Sequence, residues 1–236
     1  MDPLSQGIVG SVAAQQKSSK EKILLITIIG FLSGMAPDLD VFIRSSHDPL
    51  LAIEFHRQFT HSLIFIPFGG FICGTFFYHV LTKRRGMSIK ETYLYCTLAY
   101  ASHGILDACT SYGTQLFWPF NDFRVAWNTI SIVDPIFTIT LFTLVFLSIF
   151  RRKTIFAKIA LIWVITYMSI GLIQHNRAEK VGLLNADSRG HIPARIVVKP
   201  SLANLLVWKV IYEADEKYYV DAVKVGFNSK VIKGAS

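Results

Sequence analysis

Apolar positions along the chain gather into five blocks separated by short polar knots. A helix needs about 20 predominantly apolar residues to cross the hydrocarbon core of a bilayer. Residues 62–82 meet that length outright, and 135–150 and 159–174 are strongly apolar. Residues 23–36 and 92–106 are shorter and depend on burial against neighbours or on flanking polar residues. Past residue 174 the pattern changes. "ARIVVKP", "NLLVWKVIYEA" and "KYYVDAVKVGF" are rich in β-branched and aromatic residues with partial alternation, which predicts short strands and a hairpin around Ala214–Lys217. At the start, Asp2 followed by Pro3 reads as a helix cap with proline at the first helical position. Leu4, Ile8 and Val12 then recur at helical spacing, predicting a short amphipathic helix at the membrane surface. The fold class that follows is an all-α polytopic membrane helix bundle, about five transmembrane helices, with a small β-rich C-terminal appendage. Its segments are 1–22 (amphipathic helix and basic stretch), 23–174 (helical membrane domain) and 175–236 (β-rich domain).

Composition strengthens this picture. The chain is 52% hydrophobic and only 17% charged, against about 25% charged for soluble domains. A net charge of +8 invites a nucleic-acid reading, but its placement argues against one. Lys17, Lys20 and Lys22, then Lys83, Arg84 and Arg85, then Arg151, Arg152 and Lys153 form knots between apolar blocks, as the positive-inside rule requires. With the first knot inside, the inner segments before residue 160 hold eleven Lys and Arg and the outer ones three. "PDLD" then emerges on the non-cytoplasmic face. The first 22 residues lack a basic region ahead of an apolar core and do not read as a cleaved signal peptide. Cys73, Cys96 and Cys109 lack paired spacing and read as small buried hydrophobes.

That topology delivers polar residues from four segments to one side. Asp38 and Asp40 leave the first helix, His56 and His61 precede the second, His103 and Asp107 close the third, and Asp134 opens the fourth. An unpaired Asp at mid-membrane costs about 2.5–3.5 kcal/mol on insertion scales, so something positive should compensate the cluster. Arginine is one candidate. The other is a divalent metal, zinc or manganese, held by imidazole and carboxylate and able to contribute on the order of 10 kcal/mol. "HGILD" sets His103 and Asp107 at i and i+4 on one helical face. The two carboxylates of "PDLD" share a side only in extended chain, which Pro37 favours. His56 and His61 would lie about 140° apart on a straight helix, so Thr60 is expected to cap the second helix, with His61 its first residue and His56 on the preceding loop. Asp38 or Asp40 could bridge metals or act as general base. Arg57 and Arg124 could clamp an anionic group such as phosphate, with Asp134 nearby. The alternative is a noncatalytic cluster, in which the acids pair with Arg44 or Arg57, or hold a structural metal. His79 reads as an interface histidine, and His47, His175 and His191 as surface ones. Phe117, Trp118, Phe120 and Trp127 suit an aromatic interface belt.

"MDPLSQGIVG", "GFLSGMAPDLD", "HRQFTHSL" and "HGILDACTSYGTQLFWPF" together resemble the bacterial membrane-bound metal-dependent hydrolases, the YdjM-like inner-membrane hydrolases. The likeness extends through "RVAWNTISIVDP" into the tail. It implies an inner-membrane location and a metal-dependent hydrolase, with Asp38, Asp40, His56, His61, His103 and Asp107 matching the polar motifs. Many members carry a histidine near the N-terminus where this chain has Gln6, a departure that takes away one imidazole. An acid, a histidine some fifteen residues on and then "HxxxD" is also distantly similar to zinc-dependent phospholipases C. That likeness implies a phosphoester or lipid-linked substrate beside the bilayer, though the later histidines and the "HxxxE" pair are not evident.

Overall fold

The computed structural model describes residues 1–45, 47, 48 and 50–234. Two compact units emerge: one comprises residues 1–108, 112–126 and 137–164, the other 109–111, 127–136 and 165–236.

The first unit is helical. Helix α1 (Pro3–Gln15) starts as its sequence dictates, with Pro3 in the first turn and the Asp2 carboxylate accepting from the Ser5 amide at 2.9 Å. It is largely enclosed, however: Ser5 to Val12, Ala14 and Gln15 are buried, and of the repeat residues Leu4, Ile8 and Val12 it is Leu4 that stays exposed. The reason is the small residues. Helix α2 (Ile23–Met35) approaches so closely that a Cβ on Gly10 would sit 2.6 Å from the Gly30 carbonyl oxygen, and one on Gly34 would sit 2.8 Å from that of Gln6. Such contacts let helix backbones touch where hydrocarbon surroundings offer no hydrophobic drive. Helix α2 runs on into a 3₁₀ helix over Ala36–Phe42, with Pro37 in its first turn. "PDLD" is therefore helical rather than extended, because proline's fixed φ suits the opening of a new helix as well as it suits strand.

A short helix α3 (Leu51–Phe55) and two 3₁₀ turns (Phe59–His61 and Leu63–Phe65) lead into helix α4 (Ile66–Phe77). The anticipated cap at Thr60 does not form. Pro67 in the first turn marks the helix start instead, and the Thr60 hydroxyl is used elsewhere. A π turn (Tyr78–Thr82) finishes the segment, then helix α5 (Ile89–Ala108) packs against α1, α2 and α4. Their shared core joins Ile26 and Ile29 of α2 to Cys73 and Phe77 of α4 and to Cys96 and Tyr100 of α5. Cys73 and Cys96 are buried free thiols. Helices α6 (Pro135–Arg151) and α7 (Ile155–Ser188) follow.

Among the described residues, three stretches are long and apolar enough to cross a membrane: Ile23–Phe42, Leu63–Arg85 and Ile155–Ser188, with Pro135–Arg151 a shorter apolar helix. The 3₁₀ extension is what brings the first of these to 20 residues. Helix α5, also 20 residues, falls outside that set.

In the second unit, strands β1 (Arg195–Pro200), β2 (Val207–Ala214), β3 (Lys217–Val225) and β4 (Ser229–Ile232) form an antiparallel sheet in sequential order. The sheet begins only at Arg195, because helix α7 runs on to Ser188 through the first part of the tail expected to be β-rich over 175–236; the last two residues lie outside the described ones. Trp208, Val210, Tyr212 and Ala214 alternate inward along β2, and Val210 packs on Gly182 of α7. His175 and His191, anticipated at the surface, are half-buried, and His191 Nδ1 lies 3.0 Å from the Tyr212 hydroxyl. The hairpin pairs Ala214 with Lys217 across Asp215 and Glu216, at φ of 50° and 59°. Two left-handed residues make the tight turn that matches strand twist.

Two predictions follow from this packing. Gly10→Val drives a side chain into the α2 backbone and lowers the melting temperature of the detergent-purified protein by well over 5 °C. Glu216→Gly relieves a left-handed non-glycine residue, stabilising the hairpin by about 1 kcal/mol, read as slower amide exchange across β2 and β3.

Candidate metal centre

The 3₁₀ helix, the 56–61 loop and α5 bring four ligand atoms together. One atom each from Asp38, His61, His103 and Asp107 lies within 4.8 Å of all the others. His61 Nε2 is 3.0 Å from His103 Nε2, 3.5 Å from Asp38 Oδ1 and 3.4 Å from Asp107 Oδ2. His103 Nε2 is 3.3 Å from Asp38 Oδ1 and 3.8 Å from Asp107 Oδ2. A tetrahedral site with bonds of about 2.0–2.1 Å has ligand–ligand edges of about 3.4 Å. The five distances scatter around that value.

The tautomers sharpen the argument. His103 Nδ1 is 2.6 Å from the Gly34 carbonyl oxygen, which can only accept, so that nitrogen carries the proton. The Thr60 hydroxyl donates to Asp40 Oδ2 at 2.8 Å and so accepts from His61 Nδ1 at 2.9 Å. Asp40 Oδ2 itself stands 3.3 Å from His61 Nδ1. Both imidazoles are therefore held from behind with their Nε2 lone pairs facing each other and two carboxylates. Fixing a metal-binding imidazole through its second nitrogen is the usual device for setting its tautomer and orientation. Four converging acceptors require a cation among them. Without a metal, that cation is a proton. Burial opposes charge on His61, but hydrogen bonds to Asp107, Asp38 and Asp40 prevail and raise its pKa to about 10. The residues present fit a divalent ion.

Asp40 and His56 stand beside this set, paired with each other. His56 Nδ1 is 2.8 Å from Asp40 Oδ1, and Asp40 Oδ2 also accepts from the Arg57 amide at 3.1 Å. The two acids of "PDLD" thus serve opposite sides of one ring: Asp38 faces His61 Nε2 and Asp40 its Nδ1. Arg57 is buried, with its Nε 3.2 Å from Asp107 Oδ2 and its guanidinium 5.2 Å from the Tyr112 ring centroid. It neutralises a cluster carboxylate. Arg124 donates to the backbone oxygens of His56 (3.2 Å) and Glu54 (3.0 Å), pinning the loop. Asp134 is buried in the second unit, where it accepts from the Tyr167 hydroxyl at 2.8 Å.

Sequence reasoning missed two groups. The Gly34 carbonyl has no side-chain signature, and its only trace is the glycine spacing of "GFLSG". Thr60 looked like a cap. Gln6, singled out as a departure from the family, does reach the site. Its Nε2 donates to Asp107 Oδ1 at 2.8 Å, while its buried Oε1 has no hydrogen-bond partner. The Met1 amino group pairs with the same Asp107 oxygen.

The inner membrane protein YbcI of Escherichia coli (strain K12) is 25% identical over 154 residues, spanning 63% of this chain and 82% of that protein. No solved structure matches. The match to the YdjM inner membrane protein family runs over residues 1–178, through every element that builds the cluster. The chain belongs to the YdjM inner membrane protein family.

Proposed function

We propose that this chain is a metal-dependent hydrolase acting at the membrane surface on a phosphoester or lipid-linked substrate. The observation that carries the reading is the convergence of four lone pairs with both imidazoles locked from behind. Asp38, His61, His103 and Asp107 would hold the ion, and their two nitrogens and two oxygens suit zinc, with manganese the other candidate. Bound there, such an ion supplies a water activated near neutral pH and polarisation of the scissile group.

The surrounding residues have roles of their own. Asp40 orients His61 through Nδ1 and Thr60, and holds the Arg57 amide. Arg57 balances the charge of Asp107. His56 is the group free to move a proton. Its side chain is 34% exposed, its Nδ1 is held by Asp40, and its ring centre lies 5.8 Å from that of His61. Nε2 of His56 would deliver a proton to the leaving oxygen or take one from water, as a histidine poised on a carboxylate commonly does.

The rival reading, a metal or ion-pair staple without catalysis, draws on the burial of His61, His103 and Asp107, each with a fully enclosed side chain. Against it stands Asp38, whose side chain is 25% exposed. The site is taken to face the non-cytoplasmic side, with five crossings in all, on the strength of the basic knots.

Elemental mass spectrometry on detergent-purified protein is expected to find about one zinc or manganese per chain, lost in His103→Ala/Asp107→Ala. Absence of metal after loading would overturn the hydrolase reading. His56→Ala should keep the metal yet lower turnover of a phosphodiester by about 10²–10⁴-fold; unchanged turnover removes His56 from the chemistry, and metal without turnover of any ester favours the staple. Reporter fusions after Gly86 and Lys153 should read cytoplasmic, and one after His47 periplasmic.

A further inference from the structure

A way out of the cluster leads sideways. Among its four members Asp38 alone has an exposed side chain, and Asp38 lines a groove of about 670 Å³ between the end of α2, its 3₁₀ extension and α4. The rest of that lining is apolar, and Leu32, Leu39, Ile72 and Phe76 are 42%, 62%, 61% and 57% exposed along it. Both walls belong to stretches that qualify as membrane spans, Ile23–Phe42 and Leu63–Arg85. The open side of the groove therefore faces hydrocarbon. Leu32 lies six residues before Asp38, which on a helix places the apolar floor about 9 Å along the axis from the carboxylate.

We propose that this groove takes one acyl chain of a membrane phospholipid and delivers the phosphate head to the Asp38 end of the cluster. The proposal rests on the hydrolase reading above, because only a cation held by the cluster would draw a phosphate toward the Asp38 end. Lipid tails are as apolar as leucine, so moving a chain from bilayer to groove gains little. Selection must come from the polar end, where Asp38 is the one charged residue on the lining and, as an anion, attracts phosphate only through that cation. A second apolar depression of about 390 Å³, lined by Leu24, Ile28, Phe142 and Phe146 among others, provides the comparison. It is of similar character, yet it contains no charged residue and no member of the cluster.

The test uses the full chain in vesicles of phosphatidylethanolamine and phosphatidylglycerol, with a trace of phosphatidylglycerol bearing a diazirine in one acyl chain. After illumination, adducts are mapped by mass spectrometry and bound metal is measured in parallel. At least threefold enrichment of adducts on Leu39, Ile72 and Phe76 over Phe142 and Phe146 is expected. Ile72→Trp, or Leu39→Trp where the first variant fails to fold, should bring the groove down to the level of the comparison surface with metal content unchanged. Equal labelling of both surfaces in the wild type, or enrichment that survives the tryptophan, would overturn the proposal and leave ordinary bilayer contact. Enrichment in a protein that binds no metal would sink both readings, since nothing would then draw the phosphate to Asp38. Metal and turnover without enrichment would overturn the groove alone and leave the hydrolase reading standing.

Discussion

Lone pairs on Asp38, His61, His103 and Asp107 point into a space a few ångströms across, and a cation must lie among them, whether a proton on an imidazole or a metal ion. That constraint explains the otherwise odd disposition of polar groups around it. Gly34 and Asp40 stand behind the two rings, Arg57 and Gln6 hold Asp107, and Thr60 links His61 to Asp40. Each fixes an orientation that suits a cation at the centre. Buried polar groups in low dielectric must be satisfied, and a half-satisfied network is worse than an apolar core. Here satisfaction passes outward in a chain of hydrogen bonds.

Arg57 shows how tightly that arrangement is drawn. Its φ of 63° is left-handed, a conformation that costs a non-glycine residue about 1–2 kcal/mol. From it, one residue gives its amide to Asp40 and its guanidinium to Asp107, tying the 3₁₀ helix to α5. Strain of this sort persists where surrounding contacts over-determine it.

Much of the site was legible because helical periodicity is local. His103 and Asp107 had to share a face once "HGILD" was helical, and the change to β-branched alternation after residue 174 announced the sheet. What escaped was set by neighbours or by backbone. Helix α1 carries an apolar repeat that looks interfacial, but its burial follows from glycines on α2 that no pattern within α1 reveals. Pro37 and Pro67 each open a helix, and only tertiary context chose between that and an extended stop. Arg57 read either as a phosphate clamp or as a partner for the acids of "PDLD", and nothing in "HRQ" announces Asp107 fifty residues away. The metal-ligand residue types were plain, while the partition between cluster and support was not: Asp38 and Asp40 are two residues apart and meet opposite nitrogens of one imidazole.

Gly34 joins two of these stories. Its α-carbon is pressed against α1, and its carbonyl oxygen accepts the hydrogen bond from His103 Nδ1. The seam between the first two helices and the aim of a ligand ring are therefore one degree of freedom. In a population of random variants, loss of the centre should map as often to small residues on α1 and α2 as to histidines and aspartates. Reversion should come from compensating changes across that seam, so that the glycines and the site are inherited as a single unit.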